Sequence, residues 1–467
     1  MKKSILLISS LFCFGTAAIN AQYKVLLNFN GANGAYPWST FIHNGNILYA
    51  MTTGNDKLDS GNIFSLDTNG NGFRQVFDFH STNGKFPMGT LTISGSKFYG
   101  VTMSGGANDS GCIWSVDTNG NKYKDLFDFN GTNGTNPYGS LTISGGVLYG
   151  MTNAGGANHM GCIFSIDTDG SKYKDLLDFK GANGAWPAGE LTYTSGLLYG
   201  MTNGGGLHNL GCIFSLDTNG SRYRDLLDFN GTNGKWPWGD LTLSGNKFFA
   251  MANSGGKHDS GCVFSIDTNG KGYKDLFDFN GANGAWPDGS LTISGGVLYG
   301  MTDEGGAHTY GRIFSLDTNG SGYKDMYDFN GTNGKYPIRS LMLSGNSLYG
   351  MTNQGGTNNY GVVFKIDTNT ITSVNELSVV RGQWSVYPNP GNGKFNFQWS
   401  VVSSQWSVEV YNVLGEKVYS HYHPDSYRDK LSNYQIDLSS NPNGVYLYRV
   451  LNENGGVSGQ GKLIIEK

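Results

Sequence analysis

Charge is scarce in this sequence. Only 15% of its 467 residues are Asp, Glu, Lys or Arg, and the formal net charge is −4. That balance leaves no basic footprint for a nucleic acid and no polybasic patch for a membrane surface. Glutamate is nearly missing: between residues 22 and 369 it occurs only at Glu190 and Glu304. Few paired carboxylates are therefore on offer for acid–base chemistry. There is no Ser-His-Asp signature, phosphate loop or dinucleotide fingerprint. No segment carries a helical period. The five cysteines are too few for a disulfide scaffold in a chain this long.

Long apolar runs are also absent, with one exception at the start, "MKKSILLISSLFCFGTAAINAQ". Two lysines, an apolar stretch and small residues ending at Ala21 read as a secretory signal peptide over 1–21. The run is too short for a membrane-spanning helix. Cys13 lacks the small residue before it that a lipoprotein box needs. Loss of Lys2 and Lys3 takes the net charge from −4 to −6. The mature chain is expected to have no transmembrane segment.

What is abundant is glycine, at 72 residues, together with 13% aromatics. This is the composition of short strands joined by turns. A unit of 50 residues repeats without insertion from Tyr23, Phe73, Tyr123, Tyr173, Tyr223, Tyr273 and Tyr323. In the unit from Tyr123, strands are predicted at 123–129, 140–144, 147–152 and 162–167. Asn-Gly and Asp-Gly turns lie between them. Four antiparallel strands per unit, seven times over, predict an all-β fold: a seven-bladed β-propeller over 22–369. The phase of the repeat predicts how the ring closes. The segment at 23–29 matches the last strand of a blade, and the final unit stops after 362–367 without one. An open solenoid would leave both ends unpaired and in need of caps.

After a linker at 370–383 the composition changes, and alternating strands over 384–467 predict a small β-sandwich. There "YPNPGNGKFNF", "VEVYNVLGEKVY", "IDLSSNPNGVYLYRV" and "KLIIEK" closely resemble the C-terminal sorting domain of type IX secretion cargo. The repeats, with "GSLTISGGVLYGMTNAGG" and "GCIFSID", resemble the GloVer tandem repeat of surface proteins. The first resemblance implies a secreted protein at the outer-membrane surface or outside the cell, with the type IX machinery as a partner. The second implies a propeller-like repeat and no defined activity.

Features present in every unit are read as structural. These include Asp67 and its six counterparts, which suit turn backbone N–H groups. "DTNGNG" at 67–72 resembles the start of a calcium loop, but the other units break the pattern. Cys112, Cys162, Cys212 and Cys262 share one position in four consecutive units. Adjacent blades would hold them ~15 Å apart at ~4.8 Å per strand, beyond the ~7 Å reach of a disulfide. They are expected to be buried free thiols.

The positions that vary are the informative ones. An aromatic precedes the loop proline in six units, as tryptophan in Trp186, Trp236 and Trp286, while Trp238 follows one. The loop between the second and third strands should emerge on the same face. It carries Asn203 and His208, Asn253 and His258, Asp303 and His308. These are the candidate ligand residues, since aromatic faces stack on sugar rings and amides or carboxylates bind hydroxyls. One histidine per blade is poor metal geometry, so no metal or cofactor is expected. Glu190, Asp240 and Asp288 fall near the channel and are the candidate catalytic residues. The leading reading is a surface propeller that binds a polysaccharide or other glycan. The alternatives are a carbohydrate-active hydrolase or lyase, and a purely structural module.

Overall fold

The computed structural model describes residues 23–54, 60–368, 384–399, 406–412, 416–423, 432–452 and 457–467. The predicted signal peptide at 1–21 and the predicted linker at 370–383 lie outside them. Contacts divide the chain into two units, Met1–Thr370 and Ile371–Lys467.

Within the first unit the described residues form seven four-stranded antiparallel sheets. We number the blades 1 to 7 by their first strands. In blade 3 the strands are Thr142–Ser144, Val147–Thr152, Cys162–Asp167 and Lys174–Asp178, running outward in that order. The two middle strands are buried almost throughout, as in "CIFSID". A propeller covers both faces of such strands, so they read as continuous apolar runs rather than alternating ones. The cores lie between blades: Tyr149, Met151 and Ile163 of blade 3 pack with Leu198, Phe214 and Leu216 of blade 4.

The innermost strand is shorter than the predicted 140–144. Ser140 lies before the strand, and its hydroxyl accepts a hydrogen bond from the Thr90 N–H of the preceding blade at 2.7 Å.

The ring closes through the N-terminal strand. Tyr23–Asn28 pairs antiparallel with Val362–Asp367 and completes the sheet of blade 7. Two further bonds repeat here across the chain termini. Tyr23 Oη donates to the Asn333 carbonyl at 2.7 Å, as Tyr173 does to Asn133 between inner blades at 2.8 Å. Asn28 Oδ1 accepts the Thr357 N–H at 3.0 Å, where other blades use an aspartate such as Asp178 with Ala157 at 2.8 Å. The recurrent acids are thus turn and loop acceptors. Asp67 likewise accepts the N–H groups of Asn69 and Asn71, both at 2.8 Å, in a hairpin turn.

The second unit contains a three-stranded and a four-stranded sheet. Phe395, Phe397 and Ile436 of the first meet Val408, Val410, Val450 and Leu463 of the second in one core.

Cys112, Cys162, Cys212 and Cys262 are free and buried. Each of the first three lies against a threonine hydroxyl, as Cys162 does with Thr152 at 3.2 Å. Burial pushes the Cys162 thiol up to about 12, far from the thiolate form that reacts. Alkylation read by mass spectrometry should label none of the four thiols in the folded chain of 22–467. It should label all four after denaturation without reductant. Labelling of fewer than four in denaturant would reveal a disulfide.

Candidate functional site

At the axis, six of the seven blades bond to the next through one repeated position. The N–H of Thr40 donates to Thr90 Oγ1 (3.3 Å), Thr90 to Ser140 Oγ (2.7 Å), and Glu190 to Asp240 Oδ1 (2.5 Å). Asp240 donates to Ser290 Oγ (2.8 Å), Ser290 to Ser340 Oγ (2.8 Å), and Ser340 back to Thr40 Oγ1 (3.2 Å). Each acceptor in these six bonds is a short side chain with an oxygen, and Glu190 takes part only through its N–H. Serine, threonine and aspartate all serve. These residues line a channel cavity of about 610 Å³.

The residue before this ring is glycine in five blades. A Cβ at Gly139 or Gly239 would collide with the carbonyl of the next blade's glycine. Two blades depart, and they are the pair that meets at ring closure. Ser39 turns into its own blade and bonds the Met51 N–H at 2.8 Å. Arg339 spans the channel from blade 7, and its Nη2 donates to the Tyr138 carbonyl, before blade 3, at 3.2 Å. Its Nε is buried without a partner.

Around Arg339 the structure gathers the three candidate carboxylates. Glu190, Asp240 and Asp288 all interact electrostatically with the guanidinium. Asp240 is already engaged, because its Oδ2 also accepts the Ser290 hydroxyl at 2.6 Å. Asp288 accepts a short hydrogen bond from Asn253 Nδ2. Burial, and then the neighbouring Asp240 charge, push Glu190 well above the usual carboxylate range. Burial pushes Asp288 up to about 6. Burial, followed by the charges of Asp288 and Glu304, pushes Asp303 up to about 8.

The tryptophans lie further out on the same face. Trp186, Trp236 and Trp286 are each 42% exposed, too open for core anchors. Their φ angles are +55°, +55° and +54°, and the other four blades hold this position between +52° and +57°. Asn136 of blade 3 is the residue best suited to this left-handed backbone. A bulky aromatic there costs ~1–3 kcal/mol, so local backbone preference does not explain the tryptophans. Trp186 lies over Gly204, where a Cβ would stand 2.6 Å from the indole. Lys235 Nζ sits 4.7 Å from the Trp236 ring centroid.

Both predicted loops do meet on one face. The Trp186 carbonyl accepts the Asn203 N–H at 3.3 Å, and the Trp286 carbonyl accepts the Asp303 N–H at 3.1 Å. The histidines stand elsewhere on that face. His208, His258 and His308 are exposed at turns held over the outermost strand. There Leu207, Lys257 and Ala307 donate to Asp228, Asp278 and Asp328 at 2.7, 2.8 and 3.2 Å. Trp238 is half-buried near the axis, at the repeat position that Asp288 occupies in blade 6. Among the described residues no group of three or more His, Cys, Asp or Glu is arranged to hold a metal.

Sequence reasoning missed Arg339. Its signal was present: it is the one arginine at a position that is glycine in five blades. A second missed feature is an aromatic hollow of about 380 Å³ on the opposite arc, lined by Tyr36, Trp38, Phe86, Met88 and Met103.

Comparison with known proteins supports this architecture. The Gloeobacter/Verrucomicrobia repeat matches residues 92–246 and 226–389, and a secretion system C-terminal sorting domain matches 385–466. The sorting domain marks a secreted protein, at the outer-membrane surface or extracellular, that engages the type IX secretion machinery. No curated protein matches the chain. Among solved structures, an oligogalacturonate lyase in complex with manganese aligns with a TM-score of 0.51 at 12% identity, over 74% of this chain and 93% of its own. The polysaccharide lyase Uly1 aligns with a TM-score of 0.46 at 10% identity, over 74% and 99%. At such identities the likeness speaks to the fold alone.

The raised carboxyls have a consequence for stability. Glu190 holds its proton more tightly when folded than at its ordinary value of 4.5. Its stabilising contribution is therefore present below that value and lost as pH rises toward the raised one. Asp288 and Asp303 act in the same direction. Thermal unfolding followed from about pH 4 to about pH 9 should show a falling melting temperature, and Glu190→Gln should make the fall shallower. An identical slope in both proteins would show that Glu190 titrates normally.

Proposed function

Because the chain belongs to the Gloeobacter/Verrucomicrobia repeat family and ends in a secretion sorting domain, we propose that it is a surface propeller that binds glycans along the aromatic rim of blades 4 to 6. The observation that carries this reading is the equal, 42% exposure of Trp186, Trp236 and Trp286. Each indole occupies a backbone conformation that disfavours it, and none is needed to fill a core. An aromatic plate offers a sugar ring a flat apolar face. Asn203, Asn253 and Asp303 on the adjoining loop supply hydrogen-bonding groups for hydroxyls. Three plates on successive blades also multiply a weak contact by avidity, which suits a polymer rather than a small solute.

A carbohydrate-active enzyme is the second reading. It is favoured by Glu190, whose raised carboxyl beside Asp240 resembles the protonated member of an acid–base pair. Against it, Asp240 spends both oxygens on hydrogen bonds that hold the axis together. A purely structural module would have no use for open tryptophans in a strained conformation.

The test is Trp236→Ala in the chain of residues 22–467. Stability should stay within ~0.5 kcal/mol, as for a surface change. Retention on a glycan array should weaken about tenfold, equivalent to about 1.4 kcal/mol. A stability loss of ~3–5 kcal/mol with unchanged retention would make the ring an anchor and remove the rim site.

A further inference from the structure

Departures from the repeat gather around one gap at the channel mouth. Glu190 and Asp240 replace hydroxyl residues in blades 4 and 5. Asp288 stands before blade 6 where Trp238 stands before blade 5, and Asp303 replaces asparagine in blade 6. Arg339 replaces glycine before blade 7 and reaches over the channel toward Tyr138. Among the described residues five buried polar side-chain atoms lack a hydrogen-bond partner. Three of them, Arg339 Nε, Asp303 Oδ1 and Asn203 Nδ2, belong to this region of the propeller face.

Such groups cost free energy and call for an explanation. At the equivalent of Asn203, Asn153 donates to the Pro187 carbonyl at 3.1 Å and Asn253 donates to Asp288. Asn203 does neither. Arg339 feels Asp240, Asp288 and Glu190, yet among the described residues it forms no ion pair with any of them. A guanidinium and three carboxyl groups thus face each other without closing, and the Arg339 Nε donor is left unused.

The chemistry of that space narrows the ligand. A carboxylate would be drawn to Arg339 but repelled by the acids beside it. An ammonium would meet the opposite conflict. A hydroxyl donates and accepts at once, so neighbouring hydroxyls suit both sides together. We propose that the channel mouth is a second ligand site that takes one neutral sugar residue, whose adjacent hydroxyls bridge Arg339 to Glu190, Asp240 and Asp288. The site deepens the glycan reading, on which it rests for the class of ligand. The rim stacks the chain of sugars, and the channel mouth reads a single residue of it.

Saturation-transfer NMR with the methyl glycosides of glucose, galactose and mannose tests this, with glucuronate and glucosamine as charged counterparts. The decisive variant combines Glu190→Ser, Asp240→Ser and Arg339→Gly. It installs only residues that other blades already carry at these positions, so a hydroxyl acceptor remains at the axis for the N–H of residue 190. At least one neutral glycoside should bind the unaltered chain of 22–467, and the triple variant should weaken it at least tenfold without a lower melting temperature. Trp236→Ala should leave that binding unchanged. If the triple variant does not fold, Glu190→Gln reads the same effect as a smaller loss.

The proposal is overturned if no neutral glycoside binds, if a charged sugar binds better, or if the folded triple variant (or Glu190→Gln in its place) binds undiminished. Failure of this site alone leaves polymer retention dependent on Trp236. Failure of the rim alone leaves glycoside binding dependent on the channel residues.

Discussion

One hydrogen bond, repeated around the axis, sets the terms for everything else. In six of the seven blades the first residue at the channel hands its backbone N–H to the side chain of the next, and Ser340 returns the chain of bonds to Thr40. Blades otherwise touch through apolar side chains, which are not directional. The axial bond gives them a common height and radius. The side chains that accept it are all short and offer an oxygen: Thr40, Thr90, Ser140, Asp240, Ser290 and Ser340. The outer edge closes by the same logic. The strand Tyr23–Asn28, the Tyr23 hydroxyl and the Asn28 side chain each make across the termini a bond that other blades make between neighbours.

A ring so uniform turns departures into information. Identical residues in every blade satisfy identical needs, so they say little about a ligand. The unmatched residues are another matter, because the scaffold does not require them. Arg339 sits where a Cβ would collide with the next blade's backbone in blades such as 3 and 5, and its side chain reaches across to the Tyr138 carbonyl. The tryptophans are retained on left-handed backbone where asparagine would be cheaper. Both observations locate chemistry on one face, at two radii: plates further out and a polar cluster at the mouth of the channel.

Much of this was legible in the sequence. The 50-residue period and the phase of its first and last strands were enough to predict closure by 23–29 against 362–367. The cysteine spacing was enough to predict free thiols. The shared face of the two loops followed from strand order. Radial position was not legible. His208, His258 and His308 read as companions of the tryptophans, because a sequence does not say how far along a loop the chain has moved outward. The turn that carries each histidine is instead held to an aspartate of the outermost strand. Arg339 escaped because a single arginine among many glycines looks like surface variation, until the axis shows that the glycines are there to admit a neighbouring carbonyl. The double duty of Asp240 was hidden for a similar reason. Only the register between blades reveals that its carboxylate is a structural acceptor as well as a charge.

The most direct measurement is a crystal structure of residues 22–467 soaked with the oligosaccharide that a glycan array retains best. The account predicts sugar rings stacked on at least two of Trp186, Trp236 and Trp286, with one residue hydrogen-bonded between Arg339 and the carboxylates at the channel mouth. An oligosaccharide bound elsewhere, with the indoles bare and Arg339 Nε still unpartnered, would contradict it.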